Sequence, residues 1–490
     1  MLRLLGNTKR VCDGTTRREF LVAGGMSGLG LGMAGMTGQL RAANAVAAEP
    51  PQGKAKSVIC LFLFGGWSQL ETFDMKPNAA EEIRGPYKPI ASSVPGLQVC
   101  EHLPLLSQRM HRMALIRSMT TPDPSHNTAR VLTGFDSQSG GLLKGTGINP
   151  AIAGDKPFFM SALQYLGEHR GTATSDARLP PHLCLPNRLG LLEGYNRTGP
   201  YGGILGSRFD PLCTQFGKNG EHLFEPGGVN AETLSFVPDG AMLHPEITLD
   251  RLDRRRSLLE QVEAQRRDLV ESTAVAGYAF REEQVMRLLT SDRIRDVLDL
   301  NREPADARDR YGWNLFGQSV LLSRRLVENG VPLVTAIWDC TKESSDISML
   351  GWDTHWDHFK ACEGWLLPGI DRAISSLLDD LTERGLLDET LVVIFSEMGR
   401  TPRVNSRSGR DHWTGTFCAL LAGGGTQSGA VYGSSDAIAS YVAELPVDPQ
   451  DLLATVYHSV GYGNETMIYD NQNRPTPLYG EGHVIESILT

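Results

Sequence analysis

Four short apolar runs constrain this chain more than any other feature. Residues 57–65 (SVICLFLFG), 332–338 (PLVTAIW), 390–396 (TLVVIFS) and 417–422 (FCALLA) are continuous and lack the polar alternation of a half-exposed strand. Such runs need cover on both faces, which is how central strands of a parallel sheet read. A shorter run at 113–118 (MALIRS) predicts one more strand. Helical patterns fall between them: a helix is expected to begin within 128–135, and others over Arg310–Glu328, 363–385 with Gly385 as its cap, and 448–461 led by Asp448. Strands alternating with helices predict an α/β fold, a three-layer α/β/α sandwich on a mostly parallel sheet. Residues 49–490 then read as one large domain, with a Gly-, Pro- and Asn-rich excursion at about 137–245 and a charged, Leu-spaced helical insertion at about 248–300.

The first 48 residues read as an export signal rather than structure. Arg17 and Arg18 sit in Thr16-Arg-Arg-Glu-Phe-Leu21, close to the twin-arginine pattern. A weakly apolar, Gly-rich run follows from Phe20 to Met36, then small-residue cleavage sites around Ala43–Ala47. The expected partner is the twin-arginine export machinery, which carries folded proteins, and the expected location is periplasmic or secreted. No later stretch reaches about 18 apolar residues, so no membrane span is expected in the mature chain. The net charge of −10 gives a nucleic-acid role no electrostatic support. Eight cysteines are scattered without a CxxC pair, which argues against a zinc ribbon or a redox motif.

In open α/β sheets ligands bind beyond the carboxyl ends of the strands. Chemistry is therefore sought just after each run. Gly65-Gly66 allow close backbone approach to a ligand, with Ser68, Gln69, Glu71 and Asp74 behind them. After 113–118 comes Ser125-His126-Asn127-Thr128; Ser125 and Thr128 suit either a nucleophile or a helix cap, and His126 suits a ligand or proton-transfer group. Beyond 332–338, Asp353, His355, Asp357 and His358 place four potential metal ligands within six residues. Glu397 directly follows its strand with Arg400 behind it, a pairing that suits metal ligation with anion binding. Asp411 and His412 precede the last run, as a ligand pair or as a His oriented by its neighbour.

The combination LFLFGGWSQLETFDMKP, IRSM, GWDTHWDHF, SEMGRTP, GRDHW, LAGGG and DLLATVYHSVG resembles the bacterial domain-of-unknown-function 1501 family over about residues 55–480. That family is itself similar to the alkaline phosphatase and sulfatase superfamily. The resemblance implies an alkaline phosphatase-like sandwich with a metal site at the strand ends. SEMGR resembles the sulfatase segment Ser-Asp-His-Gly-Glu, with Glu397 at its Asp and Met398 at its His. Asp353 and His355 resemble the Asp/His pair on the preceding strand end, and His412 resembles the late metal-binding His. SHNTARVLTG is similar to the nucleophile helix, which places Ser125 or His126 near the nucleophile. The chain departs from sulfatases in lacking the Cys/Ser-x-Pro-x-Arg signature and in offering Gly65-Gly66 instead of an Asp pair.

The expected function is an exported metal-dependent hydrolase of phosphate or sulfate esters. A divalent ion (zinc, calcium or manganese) would be held by Asp353, His355, Glu397, Asp411 and His412, with Ser125, His126 and Arg400 as catalytic groups. The expected substrate is an anionic ester, a sulfated or phosphorylated saccharide among them. The alternative is a non-catalytic exported binding protein that keeps the fold and one structural metal.

Overall fold

The computed structural model describes residues 53–122, 126–137, 152–170, 179–190, 197–216, 236–238, 291–339, 341–344, 347–349 and 351–490. The export signal, Ser125, much of the 137–245 excursion and nearly all of the 248–300 insertion lie outside them. Of the insertion, a short helix at Asp292–Leu298 is described.

Nine strands form the main sheet among the described residues. They are β1 (Ser57–Leu63), β2 (Met113–Met119), β3 (His182–Leu185), β4 (Leu212–Phe216), β5 (Phe236–Pro238), β6 (Leu333–Trp338), β7 (Thr390–Phe395), β10 (Phe417–Ala422) and β11 (Val431–Tyr432). Two further strands, β8 (Gly399–Arg400) and β9 (His412–Trp413), pair with each other outside it. The sheet order is β11-β2-β10-β7-β1-β6-β3-β4-β5. β7, β1, β6, β3 and β4 run parallel in succession. β10 runs against both β7 and β2, and β5 against β4.

The apolar runs are buried on both faces, as continuous hydrophobicity requires. Ile59, Leu61 and Leu63 of β1 face one core, which includes helices α3 (Leu315–Glu328) and α4 (Leu367–Glu383). Val58, Cys60 and Phe62 face the other, which includes α2 (Phe159–Arg170) and α5 (Pro449–Val460). The two-residue pleat thus sorts one strand between two cores, giving the three layers expected.

Several helix boundaries differ from the sequence reading for local reasons. The 128–135 helix is α1 (Thr128–Thr133), and its cap is Asn127, whose side chain accepts the Ala129 N–H at 3.1 Å; Thr128 is its first residue. Gly312 breaks the Arg310–Glu328 pattern, and Asn314 caps α3 with its side-chain oxygen on Gly317 N at 2.8 Å. A short helix from His358 and one π-turn run ahead of α4, so helical structure begins earlier than residue 363. α5 starts with the reciprocal Asp448–Asp451 capping box. Gly385 ends α4 in a Schellman arrangement: its N–H reaches Thr382 O and that of Leu386 reaches Leu381 O.

Gly65 links this frame to what lies above it. Its φ is +111°, and a Cβ there would lie 2.3 Å from the Asp353 backbone nitrogen. Gly385 has φ +65° with open space around it. Backbone strain alone costs about 1–3 kcal/mol at such positions. Gly65→Ala is therefore expected to lower the melting temperature clearly more than Gly385→Ala, because only the first also drives two backbone segments apart. Equal losses in thermal unfolding would mean that the close approach at Gly65 carries no energetic weight.

Candidate metal centre

The carboxyl ends of β1, β6 and β7 deliver three neighbouring segments. Phe64 N–H bonds Trp338 O at 3.1 Å, and Phe64 O accepts Trp352 N–H at 2.8 Å, so the segment after β6 folds back onto the end of β1 and presents Asp353. Ser396 locks β7 to β1: its hydroxyl donates to Leu63 O at 2.7 Å and accepts Gly66 N–H at 3.0 Å. The β8–β9 pair sets Arg400 opposite His412 in register, so both reach Asp353.

Asp353 is the meeting point. Its Oδ1 accepts the Arg400 Nη2 hydrogen bond at 2.6 Å and lies 3.1 Å from both His355 Nε2 and His412 Nε2. Its Oδ2 lies 3.4 Å from His126 Nε2. Burial alone would raise this carboxyl, but the three imidazoles and the Arg400 charge hold it well below the ordinary carboxylate range. His126, Asp353 and His412 each offer a ligand atom within 4.8 Å of the others. His355 joins them at the edge, with Nε2 2.9 Å from His412 Nε2.

Two of the histidines are pinned from behind. His126 Nδ1 meets Glu397 Oε1 at 2.5 Å, and His355 Nδ1 meets Asp411 Oδ1 at 2.7 Å. A carboxylate at Nδ1 fixes the proton there and leaves Nε2 as the ligating lone pair, the usual second-layer arrangement of metal-binding histidines. His126 shows the consequence most sharply. It is 8% exposed, and its Nε2 has no hydrogen-bond partner. In this tautomer a lone pair faces a carboxylate oxygen, and a positive charge between them would satisfy both. Burial lowers the His126 pKa, yet the neighbouring carboxylates of Asp353 and Glu397 outweigh it and raise it. Burial is the leading influence on His412 and lowers its pKa, while the hydrogen bond to Asp353 leads at His355 and raises it. The donor set of imidazole nitrogens and a carboxylate oxygen fits zinc or manganese chemistry.

The structure redistributes the residues singled out in the sequence. Asp353, His355 and His412 converge as ligand-type groups, and His126 joins them. Glu397, expected among the ligands, stands behind His126, with Gly65 N–H on Oε1 at 2.9 Å. Arg400, expected to bind an anion, is buried: Nε donates to Gly66 O at 2.9 Å, Nη1 to Arg410 O at 3.2 Å and Nη2 to Asp353. Asp357 begins the next helical turn at φ 47°, and His358 turns away to Glu71 Oε2 at 3.0 Å. Sequence reading missed Arg197. Its guanidinium lies 4.5 Å over the Phe64 ring, and Nη1 approaches His126 O at 3.5 Å. It falls in the Gly-rich excursion, where no periodicity singles out a residue.

The polar groups after β1 serve the loops. Gln69 bridges Arg400, accepting its N–H at 3.1 Å and donating to its O at 2.9 Å. Glu71 accepts Arg410 Nη2 at 2.6 Å, and Arg410 also donates to Thr401 O at 3.0 Å and Ile83 O at 2.8 Å. Arg410 N–H closes on Thr354 O at 3.1 Å, tying this buried pair to the segment between Asp353 and His355.

Fold and site define an α/β sandwich with a histidine–carboxylate donor cluster at the carboxyl edge of its sheet. The chain belongs to the family described as protein of unknown function (DUF1501), whose sequence profile matches residues 55–489. No curated protein matches the sequence. Among solved structures it is similar to the PsFucS1 sulfatase from Pseudoalteromonas sp., at 13% identity and TM-score 0.37, covering 88% of this chain and 71% of that one. It is also similar to a protein in the alkaline phosphatase superfamily from Vibrio parahaemolyticus, at 10% identity and TM-score 0.36, covering 88% and 85%. A third is the phosphonate monoester hydrolase SpPMH from Silicibacter pomeroyi, at 13% identity and TM-score 0.36, covering 89% and 76%.

The Glu71 cluster makes a prediction in acid. Burial pushes this carboxyl up, but Arg410 and His358 overcome it and bring it to about 2 from 4.5. A depressed carboxyl contributes stability that is full above pH 4.5 and is lost as pH falls toward 2. The shift corresponds to about 3 kcal/mol. Unfolding measured from pH 6 down to 2 is expected to show that loss in the wild type and a flatter profile in Glu71→Gln. Parallel profiles would remove Glu71 from the acid response.

Proposed function

We propose that this protein is an exported metal-dependent hydrolase of phosphate or sulfate esters, with an anionic saccharide ester as substrate. The observation that carries the proposal is the buried His126 Nε2, which makes no hydrogen bond and faces Asp353 and His412. His126, Asp353, His355 and His412 would hold a divalent ion. Such an ion supplies Lewis-acid polarisation of an ester oxygen and lowers the pKa of a nucleophile's proton.

The chain's own groups do the rest. Glu397 Oε1 and Asp411 Oδ1 hold protons at the Nδ1 atoms of His126 and His355, keeping both Nε2 atoms turned inward. Arg400 orients Asp353 and balances part of its charge. Ser125, adjacent to His126 in the chain, is the proposed nucleophile. Arg197 takes the anion-binding role, because its guanidinium lies over Phe64 beside the His126 backbone. The amino-terminal twin-arginine pattern supports export by that route to a periplasmic or secreted location.

Elemental analysis of the purified chain is expected to find about one divalent ion, the folded-state stoichiometry of a single built site. Asp353→Asn and His412→Ala should each lose it. Retention of full metal by both variants would refute this site. Aryl phosphates and aryl sulfates, assayed with metal removal and add-back, then test hydrolysis. Metal without turnover of either class would favour the binding-protein reading.

Arg197→Met separates anion binding from metal binding. It is expected to keep the metal while weakening inhibition by inorganic sulfate or phosphate about tenfold or more, the scale of one charge-assisted hydrogen bond. Loss of the metal together with the anion would instead make Arg197 a positioning residue for the His126 loop.

A further inference from the structure

Away from the metal centre, Cys184 of β3 and Cys213 of β4 are partners in a parallel strand register, Cys184↔Cys213. Both thiols are free. They belong to the same core face, with Cys184 buried and Cys213 half-buried. Paired strands lie about 4.8 Å apart, within the span of about 4.4–6.8 Å between Cα atoms that disulfides bridge. The pair sits where the sheet is weakly joined, since the described β3–β4 register is only two residue pairs long. Among the described residues, only β5 lies beyond β4 in the main sheet.

We propose that Cys184 and Cys213 form a cross-strand disulfide on exposure to a thiol–disulfide oxidant, clasping the β4 edge to the sheet. The more accessible Cys213 reacts first. It loses its proton, and its thiolate attacks one sulfur of glutathione disulfide, forming a mixed disulfide and releasing one glutathione thiolate. Cys184 then loses its proton and attacks the Cys213 sulfur, releasing the second glutathione. The two protein thiols are oxidised by two electrons overall, and one glutathione disulfide is reduced to two thiols. In the reduced protein the Cys213 contact and burial keep the Cys184 thiol well above its ordinary pKa; once Cys213 carries the glutathione, burial remains, and the second step is the slow one. The clasp closes across strands already in register, so it needs no rearrangement of the fold. It adjoins the 186–190 loop, whose Gly190 N–H bonds Asp339 at 2.9 Å and whose Leu189 O accepts Arg197 N–H at 3.5 Å. Closing it is therefore expected to steady that loop as well as β4.

The test uses the full chain, reduced and then incubated folded with glutathione disulfide. The reaction is quenched in acid, and the protein is denatured and alkylated for intact mass and peptide mapping. The expected result is a species lacking two hydrogens, with two fewer alkylated thiols than the reduced control and linked peptides containing residues 184 and 213. Cys184→Ala and Cys213→Ser should each abolish that species. The oxidised wild type should also melt above its reduced form, whereas each variant should melt at the same temperature under both conditions. Full alkylation of both thiols, linkage of either to a different cysteine, or a stable glutathione adduct on Cys213 would each overturn the proposal.

Discussion

The centre of this protein depends on one carboxylate held in place by one guanidinium. Asp353 faces three imidazole Nε2 atoms, two at 3.1 Å and one at 3.4 Å, while Arg400 grips its Oδ1 from the interior at 2.6 Å. A carboxylate this buried could not stay ionised without such partners. Its ionisation turns the histidines inward, and the same charge makes the cluster fit a cation. Arg400 is anchored by Gly66 O and Arg410 O, so the electrostatic arrangement is continuous with the backbone at the end of β1.

A second layer of buried charge frames the first. Glu71 and Arg410 neutralise each other beneath the loops, and Arg410 carries several backbone carbonyls that would otherwise lack donors. Removing one member of such a pair costs about 3–5 kcal/mol, because the other is left buried and uncompensated. Glu71 and Arg410 therefore bear on the Asp353 cluster indirectly, by fixing where Thr354 and Thr401 lie. Glu397 and Asp411 act more directly, through the proton positions they impose on His126 and His355.

The sheet was the most legible part of the sequence. A run such as 390–396 is apolar on both faces, so its burial follows from composition without knowledge of its neighbours. Strand direction was less legible: β10 reads like β7 in hydrophobicity yet runs against it, because direction depends on connections and not on side chains. Within the site, Asp353 and His355 announced themselves by density and by their position after a strand, and His412 by its place beside Asp411 just before one. The ordering of roles did not. Glu397 and Arg400 looked like a ligand and an anion clamp, and the fold sets Glu397 against His126 Nδ1 and Arg400 against Asp353, because burial at the end of β7 engages their hydrogen bonds locally. Arg197 gave no signal, since its place beside His126 comes from lying over Phe64, more than a hundred residues away in the chain.

The sequence by itself determined what must be buried and which chemical groups emerge at the strand ends, since hydrophobic runs and ligating side chains are properties of local composition. Only the tertiary structure decided which of those groups share a centre and which face away. That choice depends on register and on loop closure at Gly65, where a backbone without a side chain lets Asp353 approach the end of β1. The close approach fixes hydrogen-bond partners across hundreds of residues, and at His126 and His355 a carboxylate partner settles which ring nitrogen faces Asp353.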